Sequence, residues 1–180
     1  FLKDGIENMP DHEVLELLLT FAIPRQDTNP LAHDLINAFG SLSAVLDADE
    51  SELMRVKGMG KHAALLLTMM PQLMQRYQLS SLGKRPVITT LADAKNYCAP
   101  LFVGAGEERI YMICLDQAGH VLYRTLLHTG TVDQVMLHPR TVVETALRHH
   151  AHAVILTHNH PSGTAQPSQA DVDVTRRIGS

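Results

Sequence analysis

The stretch of sequence that decides the fold is AVILTHNHPSG, residues 153–163. Its first five residues form a short continuous apolar run, which is typical of a strand buried on both faces. In an extended chain, residues i and i+2 point to the same side, with about 6–7 Å between their Cα atoms. The strand therefore presents His158 and His160 to a single ion, whereas a helix would splay the two imidazoles about 200° apart.

A second motif follows at a fixed distance and supplies an acidic group. Pro161 and Gly163 turn the chain, and Ser168 can cap a helix whose first turn contains Asp171. Ten residues separate His160 from Asp171, and HxHP combined with SxxD is far more specific than HxH alone. Two histidines and a carboxylate, with a fourth position open to water, are the ligand set of a catalytic zinc site. Other first-row metals accept the same ligands, so one zinc ion is the leading choice among them.

The composition excludes several classes of protein. Of the 180 residues, 45% are hydrophobic and 19% are charged, which excludes a disordered chain. A formal net charge of −4 provides no global basic field for a nucleic acid. Cys98 and Cys114 form neither a disulfide framework nor a CxxC metal site, which predicts a reducing, cytoplasmic location. No apolar run is long enough to span a bilayer and no signal-peptide pattern is present, so we expect no membrane partner.

Charge and histidine content divide the chain in two. Residues 1–80 carry six Lys or Arg against eleven Asp or Glu, whereas residues 81–180 carry nine against eight. Eight of the eleven histidines lie from His120 onward. The segment 81–87 is rich in turn formers, which predicts a linker. We therefore predict a small all-helical domain over residues 1–80 and a second domain over residues 88–180.

Local signals predict the elements of each domain. In the first, Gly40 ends one helix, and Asp49 with Glu52 forms a capping box before another. In the second, strand-forming runs at 108–115 and 121–127 flank a hairpin turn, and strands alternate with helices, which predicts an α/β (α+β) fold. A helix that begins at Pro139 is expected to place four apolar residues on one side: Val142, Val143, Ala146 and Leu147. Three methionines at helical spacing are expected in the core: Met69, Met70 and Met74.

The segment VKGMGKHAA, residues 56–64, resembles the turn of a helix-hairpin-helix module. Gly58 and Gly60 let backbone N–H groups approach a phosphate at a helix N-terminus, and Lys57 and Lys61 are placed to join them. The same pattern fits a plain connection between two helices, since glycine is the commonest helix stop. Six basic against eleven acidic residues in this domain argue against tight nonspecific DNA binding. DNA is therefore a candidate partner of the helical domain, with protein contact or a structural role as the alternatives.

The combination of HxHP with SxxD resembles the motif of JAB/MPN metalloprotease-type (JAMM) domains. The particular form HNHPSG…PSxxD…TRR is similar to their bacterial RadC (UPF0758) branch. The resemblance extends to residues 108–116, 130–132 and 138–140 and to the N-terminal helical segment. It implies a cytidine-deaminase-like α/β/α sandwich behind a helix-hairpin-helix-like domain, in a bacterial cytoplasmic protein. It also implies further strand and helix after Ser180.

The resemblance further implies a role for each residue of the motif. His158, His160 and Asp171 are the zinc ligands, and Ser168 donates a hydrogen bond to the developing oxyanion. A glutamate on an earlier strand activates the water at the metal.

Two adjacent glutamates compete for that role. Glu108 lies eight residues before the strand end at Asp116, as in the family pattern, and we prefer it to Glu107. Glu144 is a worse candidate, because the periodicity of its helix turns it toward solvent.

The sequence therefore predicts a zinc-dependent hydrolase of the JAMM type, acting on a peptide or protein substrate through peptide or isopeptide hydrolysis. The first alternative is a non-catalytic metal-binding scaffold associated with DNA repair or DNA-bound complexes. The second is a metal-dependent phosphodiesterase or nuclease. The presence of both Glu108 and Ser168 favours catalysis over a scaffold, because a structural zinc needs neither. The oligomeric state is left open.

Overall fold

The computed structural model of the chain describes residues 5–130, 138–161, 163 and 166–179. Residues 131, 132 and 162, which belong to the family resemblance, lie outside the described residues. Within the described part of the chain, no helix is both long enough and apolar enough to cross a bilayer.

The chain divides into two compact units, Phe1–Met74 and Gln75–Ser180. The division falls inside one long helix. The domain limits drawn from the sequence, 1–80 and 88–180 with a linker at 81–87, stay a prediction.

The first unit is built from helices, and its local signals act as the sequence predicts. The helices are α1 (Asp11–Ala22), α2 (Asn29–Phe39), α3 (Leu42–Asp47), α4 (Glu50–Leu53) and α5 (Lys61–Ser81), of which α5 continues into the second unit. Gly40 ends α2 with a φ of +92°, and its N–H donates to the Ile36 carbonyl at 2.7 Å. The capping box of Asp49 and Glu52 precedes α4. Both of these predictions are confirmed.

The core of the first unit is a cluster of buried apolar side chains from all five helices and the α4–α5 turn: Leu15, Leu19, Leu31, Ala32, Leu35, Val45, Leu53, Met59, Ala63, Ala64 and Leu67. The methionine prediction is wrong for Met69 and Met74, which are 46% and 44% exposed. Met69 lies two residues after the buried Leu67, and a step of about 200° turns it to the opposite side of α5.

The second unit combines helices with a sheet. Its elements are α6 (Leu91–Cys98), a 3-10 helix (Ala99–Phe102), β1 (Arg109–Leu115), β2 (Val121–Thr129), α7 (Pro139–Arg148), β3 (Ala153–His158) and α8 (Gln169–Gly179). The described strands lie in the order β2-β1-β3, and β1 pairs antiparallel with both neighbours. The strands predicted at 108–115 and 121–127 are therefore confirmed, with ends that differ by one or two residues.

Helices cover both faces of this sheet. Alternate residues of β1 divide between two cores, as the two-residue period of a strand requires. Ile113 and Leu115 face the core that contains α6, whereas Met112 and Cys114 face the core that contains α7 and α8. The described residues thus form α/β/α layers, and the predicted α/β fold class is confirmed.

The strand β3 contributes to both cores but is less buried than its sequence predicts. Ile155 packs with the α6 core, and Val154 and Leu156 pack with the α7–α8 core. None of the six residues of β3 is fully buried. The reason is position, because β1 is the one neighbour of β3 within the described sheet.

Candidate metal centre

The register of β1 against β3 places the candidate residues. Ile110 pairs with His158. If the same register is continued two residues along each chain, Glu108 comes opposite His160. Side chains two residues apart share a face, so Glu108, His158 and His160 all lie on the face of Met112, which is the α7–α8 face. β3 itself ends at His158, so His160 lies just beyond the strand, and Glu108 lies near both histidines.

The two imidazoles converge. The Nε2 atom of His158 lies 2.9 Å from the Nε2 atom of His160. Each Nε2 atom lies 3.4 Å from Oδ2 of Asp171. The side chains are 28%, 19% and 11% exposed for His158, His160 and Asp171, respectively, so the group is partly accessible to solvent.

The helix α8 positions Asp171 in its first turn. The Ser168 hydroxyl accepts the Asp171 N–H at 3.2 Å, which is the predicted helix cap. In return, the Ser168 N–H and its hydroxyl each donate to Asp171 Oδ2 at 2.7 Å. Burial acts to raise the pKa of Asp171, but these hydrogen bonds and the charges of His158 and His160 outweigh it, and the net pKa is lowered. The carboxylate is thus held in its ionised form.

Glu108 completes the group. One ligand atom from each of Glu108, His158, His160 and Asp171 lies within 4.8 Å of every other, and all four residues are half-buried. Among the described residues, no second group of this kind occurs. Glu107 is exposed and takes no part in the group.

The donor atoms have a spacing that suits a small ion. Zinc bonds of about 2.0–2.2 Å in a tetrahedron separate the ligand atoms by roughly 3.3–3.5 Å. Both nitrogen-to-oxygen distances of 3.4 Å match this separation, and the nitrogen pair at 2.9 Å is slightly closer. The residues present therefore fit one divalent ion held by two imidazoles and a carboxylate.

Comparison with known proteins finds a matching family for each of the two parts of the chain. Residues 88–180 match the family described as RadC-like JAB domain, and residues 1–65 match the UPF0758 N-terminal family. A UPF0758 protein of Rhodobacter capsulatus is 40% identical over 178 residues, which cover 99% of this chain and 83% of the relative. This chain belongs to the UPF0758 family. The resemblance predicted from its histidine motif is confirmed, and its RadC-like JAB domain is of a metal-dependent hydrolase-like type.

A cavity of about 380 Å³ opens beside the four-residue group of this UPF0758 chain. His158 and Asp171 lie on its wall, together with apolar side chains from both strands and from α8: Ile110, Leu156, Val172 and Val174. A mainly apolar cleft with two metal-ligand candidates at its wall is the usual form of a substrate site.

The remaining predicted residues lie elsewhere. In the helical unit, Gly58 has a φ of +95°, and the Gly60 carbonyl accepts the Ala64 N–H in the first turn of α5. Lys57 and Lys61 are exposed. Lys57 and Gly58 line a cavity of about 340 Å³ whose other charged residues are Asp27 and Asp34. The predicted turn is therefore present, but two carboxylates share the surface that a phosphate would approach.

One residue of the site escapes sequence reasoning. Asn159 lies between the two histidines, and its side-chain amide contacts the peptide groups on either side of Glu108. The local sequence gives no signal for this contact, because it joins segments about fifty residues apart. Glu144, by contrast, lies on the surface as predicted and pairs with Arg140 at 2.7 Å.

Proposed function

We propose that this chain is a zinc-dependent hydrolase that cleaves peptide or isopeptide bonds. The observation that carries the proposal is the convergence of Glu108, His158, His160 and Asp171, with ligand atoms within 4.8 Å of one another beside an apolar cavity.

The proposed ligands are His158, His160 and Asp171, which would hold one ion. Three protein ligands leave a coordination position open, which is typical of catalytic rather than structural zinc. When bound, zinc supplies Lewis acidity and lowers the pKa of a water molecule toward about 7. The lowered pKa of Asp171 supports this assignment, because an ionised carboxylate needs no deprotonation before it binds a cation.

We assign the general base to Glu108. Its carboxylate lies on the same sheet face as the two imidazoles and within 4.8 Å of their ligand atoms. In that position it can accept a proton from water and return it to the leaving amine. Glu107 is exposed on the adjacent, opposite-facing position, so it serves as the matched control.

We assign the stabilisation of the oxyanion to Ser168. Its hydroxyl donates to Asp171 Oδ2 at 2.7 Å, and its backbone N–H donates to the same oxygen at 2.7 Å. If the hydroxyl rotates to donate to a substrate oxygen, the Ser168 N–H still donates to Asp171. A donor so placed contributes roughly 10²–10³ in kcat in other hydrolases.

The test joins metal analysis to a substrate screen. The purified chain is assayed for zinc by mass spectrometry and for cleavage of peptide, isopeptide-linked and phosphodiester substrates, as wild type, Glu108→Gln and Glu107→Gln. We expect about one zinc per chain in all three proteins, with cleavage of an amide bond that falls at least about 100-fold in Glu108→Gln only.

Four results would contradict the proposal. A chain that binds no metal removes the site. Full activity in Glu108→Gln removes the assigned base. Stoichiometric zinc without cleavage of any substrate class favours the scaffold, and cleavage of phosphodiesters alone favours the nuclease.

A further inference from the structure

We propose that Asn159 is a positioning residue, whose side-chain amide holds Glu108 in line with the two histidines. The inference rests on the proposed function, since it assigns to Asn159 the placement of the proposed general base. Both side-chain hydrogen bonds of Asn159 go to backbone groups, so it acts on Glu108 through the backbone.

Two hydrogen bonds carry the inference. Asn159 Oδ1 accepts the Arg109 N–H at 2.8 Å, and Asn159 Nδ2 donates to the Glu107 carbonyl at 3.1 Å. These two backbone groups lie on either side of Glu108. The amide therefore fixes the peptide units before and after the glutamate, which determines where its side chain begins.

These two hydrogen bonds extend the contact between β1 and β3 beyond the last residue pair of the sheet. Pairing of β1 with β3 ends at Ile110 and His158, and the next pair in the same register is Arg109 with Asn159. A side-chain amide offers one donor and one acceptor, as a peptide group does. Asn159 thus supplies the next rung of hydrogen bonds while its own backbone leaves the strand.

Asn159 lies where the backbone stops following β3. Beyond Asn159 the chain turns, with the Gly163 N–H donating to the His160 carbonyl at 2.9 Å, and Pro161 has no N–H for a ladder. This turn accompanies the approach of the two imidazoles. The amide of Asn159 thus adds two bonds between the Glu107–Arg109 segment and this end of β3, while the Gly130 N–H holds the Glu108 carbonyl from the β2 side at 2.8 Å.

The residue type is specific. An aspartate would keep an acceptor for Arg109 but would place a carboxylate against the Glu107 carbonyl, where a donor is needed. An alanine loses both bonds. Since neither change touches His158, His160 or Asp171, the metal ligands stay complete in both variants, and an effect on Glu108 can be separated from an effect on the metal.

The experiment compares wild type, Asn159→Ala and Asn159→Asp, with Asn96→Ala, an exposed asparagine of α6, as the matched control. We expect zinc stoichiometry and KM to be retained in all four proteins. Both Asn159 variants should lose about 10–100-fold in kcat, which is the range found for residues that position the groups of a metal site through hydrogen bonds. In the Glu108→Gln background, Asn159→Ala should cause no further loss, because the base is already absent.

Two readouts need no activity. Amide hydrogen exchange at Arg109 should accelerate by about tenfold or more in Asn159→Ala. The zinc-induced change in the Glu108 carboxyl ¹³C signal should disappear in the same variant while zinc still binds.

The outcomes separate the two proposals. An unchanged Glu108 response to zinc in Asn159→Ala overturns the positioning role, whether or not a substrate is known. The positioning role is also overturned if Asn159→Ala lowers kcat in the Glu108→Gln background by the same factor as in the wild type. If no substrate is cleaved but the Glu108 response depends on Asn159, the proposed function fails and the positioning role stands.

Discussion

The Nε2 atom of His158 lies 2.9 Å from the Nε2 atom of His160, although the two residues belong to an extended segment whose Cα atoms are about 6–7 Å apart at this spacing. Asp171 Oδ2 lies 3.4 Å from both nitrogens. Three donor atoms that lie within 3.4 Å of one another leave room for one small cation.

The double variant His158→Ala/His160→Ala should lose zinc. Removal of two of three ligands leaves a single carboxylate, so we expect affinity to fall by more than about 100-fold, measured by competition with a chromophoric chelator. The matched control is His62→Ala/His152→Ala, which removes two exposed histidines and should bind zinc as wild type does. Retention of wild-type affinity in the first variant would show that the metal lies elsewhere.

Gly119 should tolerate no side chain. Its φ is +82°, and a Cβ atom there would lie 2.5 Å from the Ile88 carbonyl oxygen. Gly83 has a similar φ of +86° but nothing within 4 Å, so it isolates the backbone strain. We expect Gly83→Ala to lower the free energy of unfolding by about 1–2 kcal/mol. Gly119→Ala should lower it by about 1–3 kcal/mol more.

Urea denaturation of the two glycine variants measures this difference. Equal losses in both would mean that the Ile88 carbonyl moves aside at little cost.

Burial of Ile113 should contribute strongly to the stability of the second unit. It is 0% exposed in the core that contains α6, so Ile113→Ala should cost about 2–5 kcal/mol in the free energy of unfolding. Val143→Ala is the control, because Val143 is 50% exposed and its truncation should change stability by less than about 0.5 kcal/mol. Denaturant titration followed by circular dichroism checks both, and similar losses at the two positions would contradict the assigned faces.

Asp93 should make stability depend on pH. The Thr90 hydroxyl and the N–H groups of Thr89 and Thr90 lower the pKa of its carboxyl group. A lowered pKa in the folded state means that the ionised form stabilises the fold above the ordinary pKa of about 3.9, and that this contribution is lost as the pH falls through the folded pKa.

The corresponding measurement compares melting temperatures of wild type and Asp93→Asn. We expect the variant to melt lower at about pH 7 and the difference to shrink at about pH 2.5. A deficit of the same size at both pH values would assign the effect to the shape of the capping box instead of to its charge.

Local signals in the sequence were sufficient for most elements. Caps and turns depend on residues within four positions of one another, so Gly40 and the Asp49–Glu52 box are readable without tertiary structure. The spacing of His158 and His160 on a strand end and the place of Asp171 in a first turn are local in the same sense.

Predictions of which face is buried were less reliable. Val143 and Leu147 were expected on the apolar side of α7, but they are 50% and 71% exposed, whereas Val142 is buried. A helix with apolar residues at i, i+1, i+4 and i+5 has an apolar face that is wider than the surface one neighbouring element covers. The position of the sheet decides which of these residues are buried.

The sequence by itself determined the fold class and the family, and it singled out three candidate metal ligands, because each of these depends on patterns within short segments. Only the tertiary structure decided that Glu108, about fifty residues before His158, faces the histidines, since that follows from the register of β1 against β3. The same register brings Asn159 beside Arg109. Hydrogen bonds between strands join residues that are distant along the chain, so these two contacts form only when the strands pair in the folded protein.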